Sequence, residues 1–196
     1  MAAVDTSKFA EFKNTAAQMQ GVKLFIFTST GGLMGAMGHN LRLACNDFSF
    51  FFDVAEKKMK VGVFKAASVV VVHPVDAQKN EELKKTLSPS DKETIGKNAL
   101  SKDVLDVEKF PEVTFEVAQE TKKNVTGTLT LHGASNMIKL SIEEFPQHFA
   151  VKCPLSQPQF GMTPYSAMMG SIKVAPQVDI QLEVPKAVYN DGKWWF

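Results

Sequence analysis

The side chains best suited to proton or metal chemistry in this chain are four histidines and two cysteines, and their spacing supports neither. His39, His73, His132 and His148 fall in four separate segments. A catalytic zinc site needs about three ligands converging on one point, and nothing in this spacing brings them together. Cys45 and Cys153 have no Cys-x-x-Cys partner and no histidine in metal register. Each sits among apolar neighbours and reads as a buried thiol acting as a small apolar side chain, rather than as half of a disulfide. There is no G-x-S-x-G elbow, no H-E-x-x-H, no Walker loop and no clustered carboxylate pair. No catalytic residue, metal or cofactor is therefore assigned, although a triad can be assembled in space from distant segments. His39 remains the single candidate acid or base, because it directly follows the Gly- and Met-rich loop 31–38.

That loop, with Met34 and Met37, is apolar and conformationally permissive, and it reads either as a mouth or as an ordinary connection. It is not a phosphate cradle, since no Gly-Lys-[Ser/Thr] follows and the next element is a strand.

The elements that must position these residues are strands. From Val113 to Ile142 apolar and polar residues alternate in three consecutive runs, Val113/Phe115/Val117, Val125/Gly127/Leu129/Leu131 and Ile138/Leu140/Ile142. Turn-type residues separate them. Period two puts one face of each strand inside, and three such strands in sequence form an antiparallel meander. Leu41–Val54 alternates with a parity switch at Asn46-Asp47, with Leu43 before it and Phe50 and Phe52 after it, as a β-bulge would produce. Lys58–His73 carries Val61 and Val63, then a continuous apolar run after Lys65-Ala66-Ala67, which predicts a second bulge or bend. Phe149, Val151, Cys153 and Leu155 make one further strand, and Val174 to Val184, with Ile180, the last.

Two helices are expected. Residues 6–20 place Phe9, Phe12, Ala16 and Met19 at three- and four-residue spacing. Ser88-Pro89-Ser90-Asp91 opens a second over about 89–101, with Ile95, Ala99 and Leu100 toward the sheet. The predicted architecture is all-β: an eight-stranded antiparallel barrel over 22–196, an N-terminal helical extension over 1–21 and one inserted helix. A barrel of eight strands is either filled by side chains or holds one small ligand, and alternation alone leaves both open.

The chain has 196 residues, about one domain, and a net charge of +1. That balance argues against a nucleic-acid partner and against an anionic membrane surface. No apolar run is long enough for stable insertion into a bilayer. The start of the chain lacks a basic region followed by a continuous apolar stretch, so a cytoplasmic location is expected, or a periplasmic one where a signal has already been removed. Trp194-Trp195-Phe196 reads as packing back on the barrel, with a homodimer contact or a membrane interface as alternatives.

Several segments then line up in order. They are Met37-Gly38-His39-Asn40, Asp47-Phe48-Ser49, the run Asp103–Phe115 (DVLDVEKFPEVTF), Val125–Gly133 (VTGTLTLHG), Phe160-Gly161-Met162 and Pro164-Tyr165-Ser166. Together they resemble the YceI-like family over about residues 22–185. Its members look like lipocalins and bind polyisoprenoids or other long-chain amphiphiles. The resemblance implies a hollow barrel and a long-chain lipid or isoprenoid ligand. The ligand-lining residues expected on the inward parity are Leu43, Phe50, Phe52, Val63, Phe115, Leu129, Leu131, Leu140, Phe149, Val151 and Ile180. Met34, Met37, Phe160 and Met162 would extend the wall, with His39 and Tyr165 near a polar head. A non-enzymatic carrier is expected. The alternatives are an enzyme acting on an amphiphile with His39 as acid or base, and an interaction scaffold with a filled core.

Overall fold

The computed structural model describes residues 4–31, 40–76, 83, 86–190 and 193–194. Its strands in chain order are β1 (Ala10–Lys13), β2 (Lys23–Gly31), β3 (Leu41–Cys45), β4 (Phe48–Asp53), β5 (Lys58–Lys65) and β6 (Val69–Pro74). After α1 (Pro89–Leu100) come β7 (Glu112–Glu120), β8 (Asn124–Leu131), β9 (Ala134–Glu144) and β10 (His148–Ser156). The chain ends with β11 (Ser166–Ala167), β12 (Ile172–Pro185), β13 (Tyr189–Asn190) and β14 (Lys193–Trp194).

All the pairings are antiparallel, in the order β1-β4-β5-β7-β8-β9-β10-β12-β2-β3-β6, with β11 beside β12. Residues 41–53 run as one bent strand, β3 then β4, and residues 58–74 as another, β5 then β6. These two pair with each other along both halves, Leu41–Cys45 against Val69–Pro74 and Phe48–Asp53 against Lys58–Phe64. Counted this way, eight staves close on themselves, because β12 pairs with β2 and β2 with β3. The expected eight-stranded barrel is present. Its two predicted irregularities, at Asn46-Asp47 and after Lys65, are facing corners. Ser68 Oγ stitches them, accepting from Asn46 N at 3.2 Å and Asp47 N at 3.0 Å and donating to Lys65 O at 2.8 Å. Backbone groups that a bend would orphan are thereby satisfied.

β7 pairs with β5 but not with β6, and α1 lies along β6 at that gap. The helix starts as its sequence predicts. Ser88 accepts from Asp91 N at 3.1 Å, and Pro89 occupies the first turn, where no N–H is needed. Ile95, Ala99 and Leu100 pack against the core.

The N-terminal helix is not formed. Residues 10–13 are a strand on the edge of β4, and only Ala17–Met19 makes a short 3-10 turn. The cause is the bent strand 41–53. β2 covers only its first half, so β1 takes up the open backbone groups of the second half. Phe12 then sets its ring on edge against Phe52 at 5.4 Å, Ser49 Oγ donates to Glu11 Oε1 at 2.7 Å, and Met19 is fully buried. Backbone pairing at a sheet edge thus outweighs the helical spacing of Phe9, Phe12 and Met19.

β8 and β9 join through His132 (φ 50°) and Gly133 (φ 79°), a two-residue turn with both residues left-handed. Such a primed turn matches the twist of the strands it connects. A side chain at Gly133 would also strike the Phe110 ring, at 2.6 Å.

Candidate functional site

Inside the barrel lies a cavity of about 270 Å³ with an almost wholly apolar wall. An engineered apolar cavity of ~150 Å³ stays dry and holds benzene, so this space is ample for more than a solvent-sized void. Ile26, Ile138, Leu140, Ile142, Ile180 and Leu182 belong to the wall and are only half-buried. Core-facing aliphatic residues on a filled barrel would be covered, so their residual accessible surface reflects a hollow interior. At the α1 gap the wall is completed by Ala99, Val104 and Leu105.

Among the residues that alternation and resemblance selected, Leu43, Phe50, Phe115, Leu129, Leu131, Leu140, Phe149, Val151, Met162 and Ile180 line this cavity. Four others do not. Phe52 lies beyond the cavity floor, fully buried against Phe12 and Phe50. Val63 sits opposite Ser49 and Thr114, on the other parity from the cavity-lining Phe64. The inward position beside it is Gly62, whose missing side chain makes room for Phe64, 2.9 Å from where a Cβ would stand. Alternation of Val61 and Val63 therefore pointed to the wrong face. Phe160 is 1 % exposed and packs in the apolar group beneath Leu155 and Met162. Tyr165 is an exposed tether, its Oη accepting from Asn98 Nδ2 of α1 at 3.1 Å. Met34, Met37 and His39 lie outside the described residues.

Wall residues not selected from sequence include Leu24, Ile26, Met59, Phe64, Val125, Ile138, Ile142, Leu182 and Val184. Period-two spacing already carried the signal for Ile26, Ile138, Ile142 and Leu182. Two polar contributions had no local signal. Gln157 and Thr28 stand at the end where β2 and β10 finish. Gln157 is 5 % exposed, and its Nε2 donates to Ala175 O at 2.9 Å. At the opposite end, where β7 finishes and β12 has ended, Tyr189 Oη donates to Glu120 Oε1 at 2.6 Å. Both residues line the cavity.

Cys45 and Cys153 are free buried thiols on the cavity wall. Burial pushes both upward from the usual thiol range, so they are held as protonated apolar groups. The described histidines have separate structural roles: His73 pairs across from Arg42, His132 forms the β8–β9 turn, and His148 stacks on Phe145 at 4.9 Å. Among the described residues no group of His, Cys, Asp or Glu is arranged to hold a metal. No described helix is long and apolar enough to cross a membrane. Trp194 pairs with Tyr189 in the terminal hairpin, while Trp195 and Phe196 lie outside the described residues.

The sequence model of the YceI-like domain matches residues 14–185. The chain belongs to the YceI-like family. Among solved structures, Burkholderia cenocepacia BcnA is similar, at 18 % identity over 84 % of this chain and 95 % of that one, with a TM-score of 0.50. A Campylobacter jejuni YceI protein is 20 % identical over 74 % of this chain and 85 % of its own, with a TM-score of 0.45. No curated protein sequence matches. At these identities the likeness to BcnA speaks for the fold alone. In this YceI-like chain the two most specific family segments form one packed unit. The Phe110 ring of the first lies 4.6 Å from the His132 ring of the second, and Phe115 pairs across from Leu129.

Tyr189 offers a direct test of the polar end. Burial first, then its bond to Glu120, push the hydroxyl well above the usual tyrosine range. The folded state therefore keeps a proton that the unfolded chain releases near pH ~10. The unfolded state binds fewer protons above that pH, so this residue's contribution to stability falls as pH rises further. Comparing absorbance titrations of wild type and Tyr189→Phe at pH 10–11 is expected to show no phenolate attributable to Tyr189. A tyrosinate signal lost with the substitution would contradict the buried pairing.

Proposed function

We propose that this YceI-like protein is a non-enzymatic binder of a long-chain amphiphile, a polyisoprenoid, isoprenoid quinone or fatty acyl chain, whose apolar tail lies in the barrel cavity. The observation that carries this reading is the cavity itself: hollow, about 270 Å³, and walled by aliphatic and aromatic side chains from every stave. Such a wall offers few hydrogen bonds to a polar solute and selects by desolvation. Each buried methylene contributes roughly 0.8 kcal/mol, so a chain binds tightly without a specific contact.

Mass spectrometry of an organic extract of the purified protein tests the proposal. The expected result is a prenyl or acyl species near one per chain. An empty extract from a native-like host, together with no binding of added long-chain probes, would overturn it in favour of a barrel acting through its surface.

A further inference from the structure

Building on the reading of the cavity as a lipid site, we infer that Glu120 and Tyr189 form its head-group station and that it takes a chain ending in a hydroxyl, an alcohol or a phenol, rather than a carboxylate. The cavity wall is apolar nearly throughout, and these two side chains meet at one of its ends. Tyr189 is 7 % exposed, with its ring edge-on to Phe149 at 5.5 Å, so its position is set by packing. Its hydroxyl donates to Glu120 Oε1 at 2.6 Å. Among the described residues this is the one hydrogen bond to the Glu120 side chain, although a carboxylate offers about four acceptor positions.

A ligand O–H arriving here finds carboxylate acceptor positions at the edge of an apolar wall, and hydrogen bonds to a carboxylate are the strong ones. A ligand carboxylate brings no proton to share and meets like charge. Glu120 also stands at a boundary. With Met59 and Val117 it lines both the cavity and a small outer cleft that includes Lys58 and Lys60. Lys60 is paired with Glu56 at 2.5 Å. The station therefore lies where an apolar chain would end and a polar head begin.

Three probes of one chain length separate tail from head: dodecan-1-ol, dodecanoate at pH 8 and dodecane, each measured by displacement of a fluorescent long-chain dye. Wild type is expected to bind the alcohol at least ten-fold more tightly than the carboxylate. Glu120→Gln should cut that ratio to about three or less, and Tyr189→Phe should weaken the alcohol several-fold. Both variants should keep dodecane within two-fold of wild type, which reports an intact cavity. A wild-type preference for dodecanoate, or equal binding of the two, overturns the assignment without any variant, and would point to the cleft lysines. An alcohol preference that survives Glu120→Gln overturns it also. If none of the three probes binds wild type, the lipid-site reading falls and takes the station with it.

Discussion

Replacing Ile26 and Ile180 together by phenylalanine is expected to reduce affinity for a long-chain probe by about 200-fold and leave the fold intact. The two residues pair directly across β2 and β12, and both face the cavity. Each substitution adds carbon, and no polar atom, to a wall position that borders empty space. If the added rings displace about four methylenes of the ligand, roughly 3 kcal/mol of burial is forfeited, which is about a 200-fold change in Kd. In a filled core the same change would overpack, at about 1–3 kcal/mol for each site. Here the void absorbs it, so the melting temperature should hold or rise. Binding titration and thermal melts on one preparation decide the matter. Undiminished affinity would show that the ligand lies elsewhere, and a collapsed melting temperature would show that the barrel is not hollow at this level.

Gly127→Ala is expected to have the opposite signature, a large loss of stability. Gly127 lies on the inward parity of β8 between Val125 and Leu129. A Cβ there would stand 2.2 Å from the Glu116 carbonyl oxygen and 2.7 Å from the Phe115 ring. The ring is held by the wall and the carbonyl belongs to the β7–β8 ladder, so neither yields without breaking sheet geometry. Overpacking of this kind costs up to about 3 kcal/mol or more, equivalent to about 6–12 °C in Tm for a domain of this size. Gly96 provides the control. It lies inside α1, with nothing within 4 Å of an added Cβ. Gly96→Ala should be neutral or stabilise by up to about 1 kcal/mol. Thermal melts of the two variants test this contrast, and equal effects would remove the packing explanation.

Much of the barrel is legible in sequence because period two is a strong signal wherever one strand face is buried. The meander β7–β8–β9 and the cap of α1 follow from Val113–Ile142 and from Ser88-Pro89 alone. Both corners were visible as breaks in parity at Asn46 and after Lys65, although not that they face each other. What failed did so for identifiable reasons. Phe9, Phe12 and Met19 keep helical spacing by coincidence, since a strand edge more than thirty residues away decides their structure. Val63 was misassigned because the true inward position, Gly62, carries no side chain to signal it. Glu120 and Tyr189 were missed because their meeting depends on closure of the whole barrel, with 69 residues of chain between them.

The seam between β2 and β12 has a kinetic consequence. Leu24 pairs with Leu182, so the first stave finds its neighbour only in the last, with all the others between them. Contacts so distant in sequence must be closed against a large loss of chain entropy before they yield any stabilisation, and folds dominated by them form in milliseconds to seconds rather than microseconds. During synthesis, β12 emerges after every other stave of the ring. Without it, the remaining staves would leave the facing edges of β2 and β10 unpaired and the apolar face uncovered, the kind of species that associates with its neighbours. The cavity is enclosed only when β12 joins β10 to β2, and a chain truncated before residue 172 would have an apolar face but no interior.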